Sequence, residues 1–470
     1  MRASLPPNSP RSVLTYASVY TLPITVGASQ QSLQVQLDTG SSDLWLASTS
    51  CTSSVCSKSK LYDPSSALPT GRTFNITYLA GQAAGPIYWD TLNFGGYNIA
   101  NQALAAVSSV SSEPLESSFN GVLGLALSAN SIIQQQIIAT DSNAPDGAIV
   151  SSNLFGITPA ADAPAARFLS VSLQRPGMDT VPSLLGIGRH PAALVQDPAH
   201  VTYSEIVRSF AGELFWESSV RDITVWVNGT ARPIALGRST SGAVFPTAVL
   251  DTGVPYILSS TAIANALYGA LGIGPGSDGQ YYVPCDTPIN MTITLDGQPA
   301  QPLHPLDLTA VPSSNPSATT CVGLIQTDGG ALDSAGGVQP LPDVILGVAF
   351  LRNIYMVMAF DEPGSDGLFP NASGQDARPH LGMLGLTNIT QALDEFNTVR
   401  VLGQPLTSQN GPASSTAAGS GHGLSVGVKV VIGLLAFIGL CAVLFGAFFL
   451  FLRRRYQRAG GHADAPEGRD

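Results

Sequence analysis

Short apolar or alternating runs separated by Gly, Pro, Asn and Asp characterise the chain between residues 12 and 400. Alternation with a period of two is typical of half-buried strands, whereas helices show apolar positions spaced three and four apart. Only 131–140 and 261–272 have the helical spacing. The pattern predicts a mainly β fold with a few small helices. The clearest predicted strands are 33–38, 43–48, 73–79, 222–229, 281–284, 291–297 and 355–360.

A strand that ends in Asp-Thr-Gly occurs twice, as VQLDTGS at Asp38 and as AVLDTGV at Asp251. Each Asp is followed later by two aliphatic residues and a glycine, Gly124 and Gly347, which are 86 and 96 residues further on (124 − 38 and 347 − 251). One such tripeptide is expected by chance only about 0.1 times in this length. The repeat indicates a duplicated lobe that contributes one Asp from each half.

Two Asp-Thr-Gly loops that meet on a pseudo-twofold axis would bring their carboxylates close together. Gly40 and Gly253 permit the tight turn, while Thr39 and Thr252 can hydrogen-bond across to the opposite lobe. Two neighbouring carboxylates cannot both ionise, so the pair shares a proton. One can then take a proton from water while the other protonates a substrate carbonyl oxygen. This chemistry hydrolyses an amide with no metal and no cofactor.

These motifs resemble those of the pepsin family of aspartic endopeptidases, and the resemblance covers about residues 14–395. DTGSSDLW and AVLDTG match the two active-site loops, while FNGVLGLA and ILGVAFLRNIYMVMAFD match the segments that cradle them. The resemblance implies a bilobal fold with an N-terminal lobe at 14–197 and a C-terminal lobe at 198–402. It also implies that Asp38 and Asp251 are catalytic and that polypeptides are the substrates of a monomeric ectodomain.

The resemblance also assigns supporting roles. Residues 75–96 correspond to a flap hairpin over the cleft, with Tyr78 as the flap tyrosine, Trp45 as its hydrogen-bond partner and Gly81 as the flap-tip backbone. Ser41 corresponds to the hydroxyl that hydrogen-bonds the first catalytic carboxylate. The implied disulfides are Cys51–Cys56 and Cys285–Cys321.

The second loop departs from the family pattern, because Val254 stands where a Ser or Thr usually hydrogen-bonds the catalytic carboxylate. Loss of a donor to the ionised form raises the pKa of a carboxyl group. We therefore expect a pH optimum less acidic than that of relatives with both hydroxyls.

An uninterrupted apolar run occupies 430–452, and as a helix it would extend about 34 Å, enough for a ~30 Å hydrocarbon core. The alternative, a buried core helix, rarely lacks a polar face over such a length. Arginines 453, 454, 455 and 458 follow and indicate a cytoplasmic end. We predict a linker at 403–425, a transmembrane segment at 426–452 and a basic tail at 453–470. The tail makes a GPI signal improbable.

The remaining targeting features favour a type I membrane protein whose catalytic domain faces the exterior or a secretory or vacuolar lumen. Of five cysteines, Cys441 lies in the apolar run and four remain as an even set upstream. Residues 1–13 contain no apolar signal segment, so the given start is interpreted as truncated, without its signal and pro-segment. The alternative is a tail anchor with the large domain in the cytosol. The N-glycosylation sequons are Asn75, Asn228, Asn290, Asn371 and Asn388.

Composition narrows the function classes further. Only 11% of residues are charged and the net charge is −11, which disfavours nucleic-acid binding. The six histidines show no metal-ligand spacing. The alternatives to a protease are a catalytically silent peptide-binding surface protein of the same fold and a cell-wall or adhesion protein.

Overall fold

The computed structural model describes residues 2–4, 19–79, 81–111, 115, 119–140, 145–178, 180–312, 315, 317–333, 341–369 and 378–406. The chain divides into two compact units, Met1–Ser408 and Gln409–Asp470, and all described residues belong to the first. The predicted span 426–452, its basic tail and most of the linker lie outside them. Over the described ranges, no helix has the length and apolar character needed to cross a membrane.

The described part of the chain is mainly β, which confirms the predicted class. The strands of the first half are β1 (Arg2–Ser4), β2 (Val19–Val26), β3 (Gln31–Asp38), β4 (Leu44–Ala47), β5 (Leu68–Thr77), β6 (Gln82–Phe94), β7 (Tyr97–Val107), β8 (Ser109–Ser111), β9 (Gly121–Gly124), β10 (Phe168–Ser172), β11 (Leu184–Ile187) and β12 (Thr202–Glu205). Those of the second half are β13 (Glu217–Val227), β14 (Thr230–Pro233), β15 (Thr247–Leu250), β16 (Ile257–Ser259), β17 (Tyr282–Pro284), β18 (Asn290–Leu295), β19 (Gln301–Leu303), β20 (Thr309–Ala310), β21 (Thr320–Gly323), β22 (Ile325–Gln326), β23 (Val344–Leu346), β24 (Ile354–Ala359) and β25 (His380–Gly385).

Two large sheets carry the two Asp-Thr-Gly loops. The first sheet has the order β1-β2-β3-β9-β4-β7-β6-β5, with β8 paired to β6. The second has the order β19-β18-β13-β15-β23-β16-β22, with β14 paired to β13. Strands β17, β21 and β20 form a small third sheet. A five-stranded sheet, β11-β10-β24-β25-β12, combines strands from both predicted lobes.

The sequence repeat corresponds to a repeated strand arrangement. In the first sheet β3 runs parallel to β9, which places Asp38 beside Gly124. In the second sheet β15 runs parallel to β23, which pairs Leu250 with Leu346. A side chain on either glycine of these motifs would collide with backbone: Gly124 faces residues 41–43, and Gly347 faces the carbonyl groups of residues 254 and 256. Both motifs therefore require glycine at the position where the backbone that follows the Asp-Thr-Gly tripeptide passes close by.

The α-helices are few and short: α1 (Ile132–Gln136), α2 (Val150–Phe155), α3 (Thr261–Ala270), α4 (Val348–Leu351) and α5 (Ile389–Phe396). Helix α3 agrees with its predicted segment, but α1 covers only half of 131–140 because the backbone leaves helical geometry at Ile137. Helix α5 was not predicted from sequence, although its apolar residues follow a helical spacing. Asn388 caps it by accepting hydrogen bonds from the backbone N–H groups of Thr390 and Gln391.

A buried ion pair joins the two predicted lobes. Both carboxylate oxygens of the fully buried Asp307 accept hydrogen bonds from Arg175 Nε at 2.9 Å, and Arg352 lies 3.6 Å away. Burial by itself would raise the pKa of Asp307, but the two arginine charges outweigh it and hold that pKa below its usual range. The ion pair thus links two segments that are 132 residues apart in sequence.

Candidate active site

The structure brings the two Asp-Thr-Gly loops together. Asp38 ends β3 and Asp251 directly follows β15, and the two are only 6% and 9% exposed. Within each loop the glycine N–H donates to its own aspartate, Gly40 to Asp38 Oδ1 at 2.9 Å and Gly253 to Asp251 Oδ1 at 2.7 Å. The tight turn therefore aims each carboxylate away from its strand and towards the opposite loop.

Each loop packs directly on the aspartate of the other. A Cβ atom on Gly40 would overlap the Asp251 carboxylate, and one on Gly253 would overlap the Asp38 carboxylate. Burial, followed by the charge of Asp38, raises the pKa of Asp251 well above its usual range, although the N–H groups of Gly253 and Gly40 act in the opposite direction. The Asp251 carboxyl group therefore resists ionisation more than an exposed aspartate does.

The hydrogen bonds of the pair are asymmetric. The Ser41 hydroxyl donates to Asp38 Oδ2, in addition to the Gly40 N–H on Oδ1. At the matching position Val254 has no hydroxyl, and its carbonyl oxygen accepts from the Val348 N–H at 2.7 Å. Asp38 therefore accepts a hydrogen bond from a side-chain hydroxyl that has no counterpart at Asp251.

Thr39 and Thr252 lock the loops to each other. The Thr39 N–H donates to Thr252 Oγ1 at 3.1 Å, and the Thr252 N–H donates to Thr39 Oγ1 at 3.0 Å. Each hydroxyl in turn donates to a carbonyl of the other loop, Thr39 to Leu250 at 2.7 Å and Thr252 to Leu37 at 2.8 Å. All four bonds cross between halves that lie more than 200 residues apart in sequence.

Sequence reasoning missed two residues that support the loops. The fully buried Trp216 donates from Nε1 to the Leu125 carbonyl at 2.8 Å, and its own carbonyl accepts from the Leu250 N–H at 3.0 Å. Because the Leu125 N–H donates to the Asp38 carbonyl at 2.7 Å, Trp216 connects the backbones behind both aspartates. No motif in the sequence marks this tryptophan.

The second missed residue is Asp43, within DTGSSDLW. Its buried carboxylate accepts hydrogen bonds from Ser131 Oγ at 2.5 Å and from the N–H groups of Ile132 at 2.8 Å and Ile133 at 3.2 Å. Burial raises its pKa, although these bonds lower it. Asp43 therefore connects the start of α1 to the first active-site loop. Its position within the DTGSSDLW motif could have identified this role from the sequence.

The predicted flap is a hairpin of β5 and β6. Its Tyr78 hydroxyl accepts a hydrogen bond from Nε1 of the fully buried Trp45 at 2.7 Å. At the tip, the Tyr78 N–H donates to the Gly81 carbonyl at 2.9 Å, and Gly81 has a φ of +117° that favours glycine. Leu79, between them, is 52% exposed. The hairpin thus presents an apolar tip fixed through Tyr78 to the base of the first lobe.

The eukaryotic aspartyl protease family model matches residues 19–165 and 197–365, more than half of the chain. This chain belongs to the eukaryotic aspartyl proteases. Membership places it in the class of aspartic-type endopeptidases.

Three relatives of this aspartyl protease are proteins of fungi. It is 29% identical to aspartic protease pepA of Leptosphaeria maculans, over 76% of this chain and 77% of the relative. It is 28% identical to penicillopepsin-3 of Penicillium janthinellum, over 74% and 77%. Major aspartyl peptidase 1 of Cryptococcus neoformans is 24% identical over 73% of this chain, which spans 66% of that relative.

A solved structure shows the same fold. The aspartic proteinase from Irpex lacteus matches with a TM-score of 0.55 and 19% identity, over 80% of this chain and 96% of the solved one. At this level of identity the match concerns the fold alone.

Both predicted disulfides of the aspartyl protease are present, Cys51–Cys56 and Cys285–Cys321. Of the sequons, Asn75, Asn228 and Asn388 are exposed and Asn290 is half-buried, whereas Asn371 lies outside the described residues. In the ranges that the structure describes, no group of three His, Cys, Asp or Glu side chains could hold a metal ion.

Proposed function

We propose that this protein hydrolyses peptide bonds of extended polypeptides by means of a water molecule activated by Asp38 and Asp251. The observation that carries the proposal is the mutual contact of two buried carboxyl groups, with the pKa of Asp251 raised by burial and by the charge of Asp38. Such a pair holds one proton between two groups, which supplies an acid and a base together.

The different hydrogen-bond donors of Asp38 and Asp251 support different roles for the two carboxyl groups in proton transfer. The raised pKa of Asp251 favours its protonated form, so we assign the acid to Asp251 and the base to Asp38, which accepts from the Ser41 hydroxyl and the Gly40 N–H. Asp38 then takes a proton from water as the water oxygen bonds to the peptide carbonyl carbon. Asp251 gives its proton to the carbonyl oxygen, and a neutral tetrahedral intermediate forms.

The second half-reaction returns the protons. The intermediate loses a hydroxyl proton to Asp251 while Asp38 donates the proton it took from water to the leaving nitrogen. The carbon–nitrogen bond breaks, giving a carboxyl group and an amine, and the pair regains its starting state. No covalent link to the protein forms at any step.

The flap supports the choice of an extended polypeptide as substrate. Tyr78, held by Trp45, and the backbone around Gly81 form a hairpin that could cover a chain lying over the two aspartates. Backbone groups at such a hairpin can pair with an extended peptide, as strands pair in a sheet.

The proposed location is a lumen or the cell exterior, with the catalytic domain tethered to a membrane. The two disulfides and three exposed sequons favour an oxidising, secretory compartment. The apolar run 430–452 with its following arginines supports a single span whose basic end is cytoplasmic. Extraction of cell membranes with alkaline carbonate tests this, because a spanning protein stays in the pellet and a peripheral one is released.

Cleavage of casein or haemoglobin by the purified full chain in mild detergent tests the proposed reaction. We expect turnover in acid that pepstatin blocks. A silent peptide-binding relative would bind pepstatin and cleave nothing, and an adhesion protein would do neither. Absence of turnover between about pH 3 and pH 7 would contradict the enzymatic proposal.

A further inference from the structure

Gln36 is a polar side chain in the strand that carries the first aspartate, and it is only 8% exposed. Successive side chains of a strand point to opposite faces, so Gln36 and Asp38 lie on the same face of β3. Their neighbours on the other face, Val35 and Leu37, are fully buried in the hydrophobic core. Gln36 therefore lies on the face of the first sheet from which the Asp38 carboxyl group projects.

The flap tyrosine is attached to the same face of this sheet. In the strand order β3-β9-β4, Gln36 pairs with Val122, and Val122 pairs with Trp45. Side chains that pair across neighbouring strands project to the same side, so these three form a row on one face. Trp45 donates its indole N–H to Tyr78 of the flap, and both pack with Val122 in one apolar cluster. Gln36 is thus a polar side chain on the side of the sheet shared by Asp38 and the flap.

One hydrogen bond orients the Gln36 amide group. Its Nε2 donates to the Gly253 carbonyl at 3.4 Å, a long bond that joins halves 217 residues apart in sequence. A carbonyl oxygen can only accept, so the nitrogen is the end of the amide that faces Gly253. The oxygen end, Oε1, is left for another partner.

Within the described ranges, no group donates a hydrogen bond to Gln36 Oε1. A buried acceptor without a donor costs free energy, and folded proteins leave few of them unpaired. An amide oxygen accepts from N–H and O–H groups. This oxygen is therefore suited to a donor that arrives with a ligand.

The contacts of Gly253 limit the distance between the Gln36 amide and the two aspartates. A Cβ atom on Gly253 would lie 2.5 Å from Asp38 Oδ1 and 3.1 Å from Asp251 Oδ1. Gln36 Nε2, which bonds the carbonyl of the same glycine, is therefore at most about 10 Å from the Asp38 carboxylate. An extended peptide rises about 3.3 Å per residue, so this distance corresponds to roughly three residues or fewer.

We propose that Gln36 is a specificity-determining residue whose Oε1 accepts a hydrogen bond from a donor side chain of the bound polypeptide, within about three residues of the scissile bond. Asparagine, glutamine, serine and threonine side chains supply such a donor, whereas leucine does not. A site built to bond a polar group disfavours an analogue that leaves this group unpaired. The inference rests on the proposed function and adds to it a preference for a polar residue at one position near the cleaved bond.

The test uses the full chain with Gln36→Leu and Gln36→Met, which keep most of the side-chain bulk and remove the amide. The matched control is Gln34→Leu, because Gln34 lies on the same face of β3 and is two residues further from Asp38. Fluorogenic peptides share one cleavage site and carry Asn, or Leu of similar size, in turn at each of about three positions on either side of it. Circular dichroism verifies folding, and the second apolar variant replaces the first if that one does not fold.

We expect the unmodified chain to cleave the Asn peptide with a kcat/KM roughly threefold to tenfold above that of the Leu peptide at one of these positions. Gln36→Leu and Gln36→Met should abolish or reverse this ratio, and Gln34→Leu should keep it. An unmodified chain that prefers Asn at no position would overturn the inference alone. So would folded Gln36 variants that lose activity equally on Asn and Leu peptides, since that result indicates a purely structural role. If the unmodified chain cleaves no peptide, the proposed function fails and the inference fails with it.

Discussion

Thr39 and Thr252 exchange hydrogen bonds across the boundary between the two Asp-Thr-Gly loops, each backbone N–H donating to the hydroxyl oxygen of the other residue at 3.1 and 3.0 Å. Both side chains are buried, and their hydroxyl groups also donate to carbonyl groups of the opposite loop. The distance between the two carboxyl groups is therefore set by bonds one residue away from each of them.

Replacement of Thr39 by Val should destabilise the protein. Valine keeps the shape but removes the hydroxyl, which leaves the Thr252 N–H and the Leu250 carbonyl buried and unpaired. We expect a loss of about 2–4 kcal/mol in the free energy of unfolding, measured by denaturant titration. Thr39→Ser keeps the hydroxyl and should lose less than half as much. Equal losses for both variants would show that methyl packing, not hydrogen bonding, is responsible.

A hydroxyl at position 254 should make the enzyme work at lower pH. Thr in place of Val254 can donate to the ionised Asp251 carboxylate, which lowers the pKa that burial and Asp38 have raised. The activity limb governed by Asp251 should then move towards acid in a profile of kcat/KM against pH. Val254→Ala, which adds no donor, serves as the control and should leave the limb in place. A profile of Val254→Thr that coincides with that of the unmodified chain would refute this account of the asymmetry.

Loss of the flap tyrosine hydroxyl should impair catalysis more than folding. Tyr78→Phe removes the acceptor of the Trp45 N–H, so the flap loses the bond that fixes it to the first lobe. We expect kcat/KM to fall about tenfold, a loss near 1.4 kcal/mol of transition-state stabilisation. Tyr97→Phe, on β7 of the same sheet, is the matched control and should change neither property. Unaltered kinetics in Tyr78→Phe would exclude a role for this bond in the reaction.

Stability should decline as pH rises. Because the folded state raises the pKa of Asp251 above its unfolded value, the protonated group favours folding below the unfolded pKa, and this contribution is lost as pH rises through the folded pKa. Burial, with a smaller effect of Asp343, raises the pKa of Glu217 in the same direction. The free energy of unfolding should therefore fall as pH rises above about 4, the ordinary range of these carboxyl groups.

Asp251→Asn removes one of these titrating groups, so its unfolding free energy should depend less steeply on pH. Asp162→Asn changes an exposed carboxylate and should leave the slope of the unfolding free energy against pH unchanged. A slope in Asp251→Asn as steep as in the unmodified chain would mean that other groups cause the decline.

Much of the fold was predictable because its strands follow simple patterns. The alternating residues of β3 and β18 and the repeated Asp-Thr-Gly identified strands, duplication and candidate aspartates from local sequence. Helix α5 could also have been predicted, since Ile389, Ala392 and Phe396 follow a helical spacing after the capping Asn388.

Other parts depend on contacts between distant segments. Trp216 supports the two loops through bonds to residues 91 positions earlier and 34 positions later (216 − 125 and 250 − 216), and nothing in its neighbourhood indicates that role. The turn at 209–212 has a readable Ser-x-x-Gly sequence, but its place beside Ala129 depends on the path of the chain after β9. Hydrogen-bond partners across the fold have no periodicity and cannot be inferred from one sequence.

We propose that Asp38 and Asp251 act as one proton-sharing pair on a water molecule. The most direct measurement is kcat/KM against pH for the unmodified chain, Asp38→Asn and Asp251→Asn, with Asp162→Asn as the control and circular dichroism to verify folding. We expect a bell-shaped profile for the unmodified and control proteins, and a loss of at least about a thousandfold at every pH for either active-site variant. Turnover above roughly a tenth of the unmodified rate in either folded variant would contradict it.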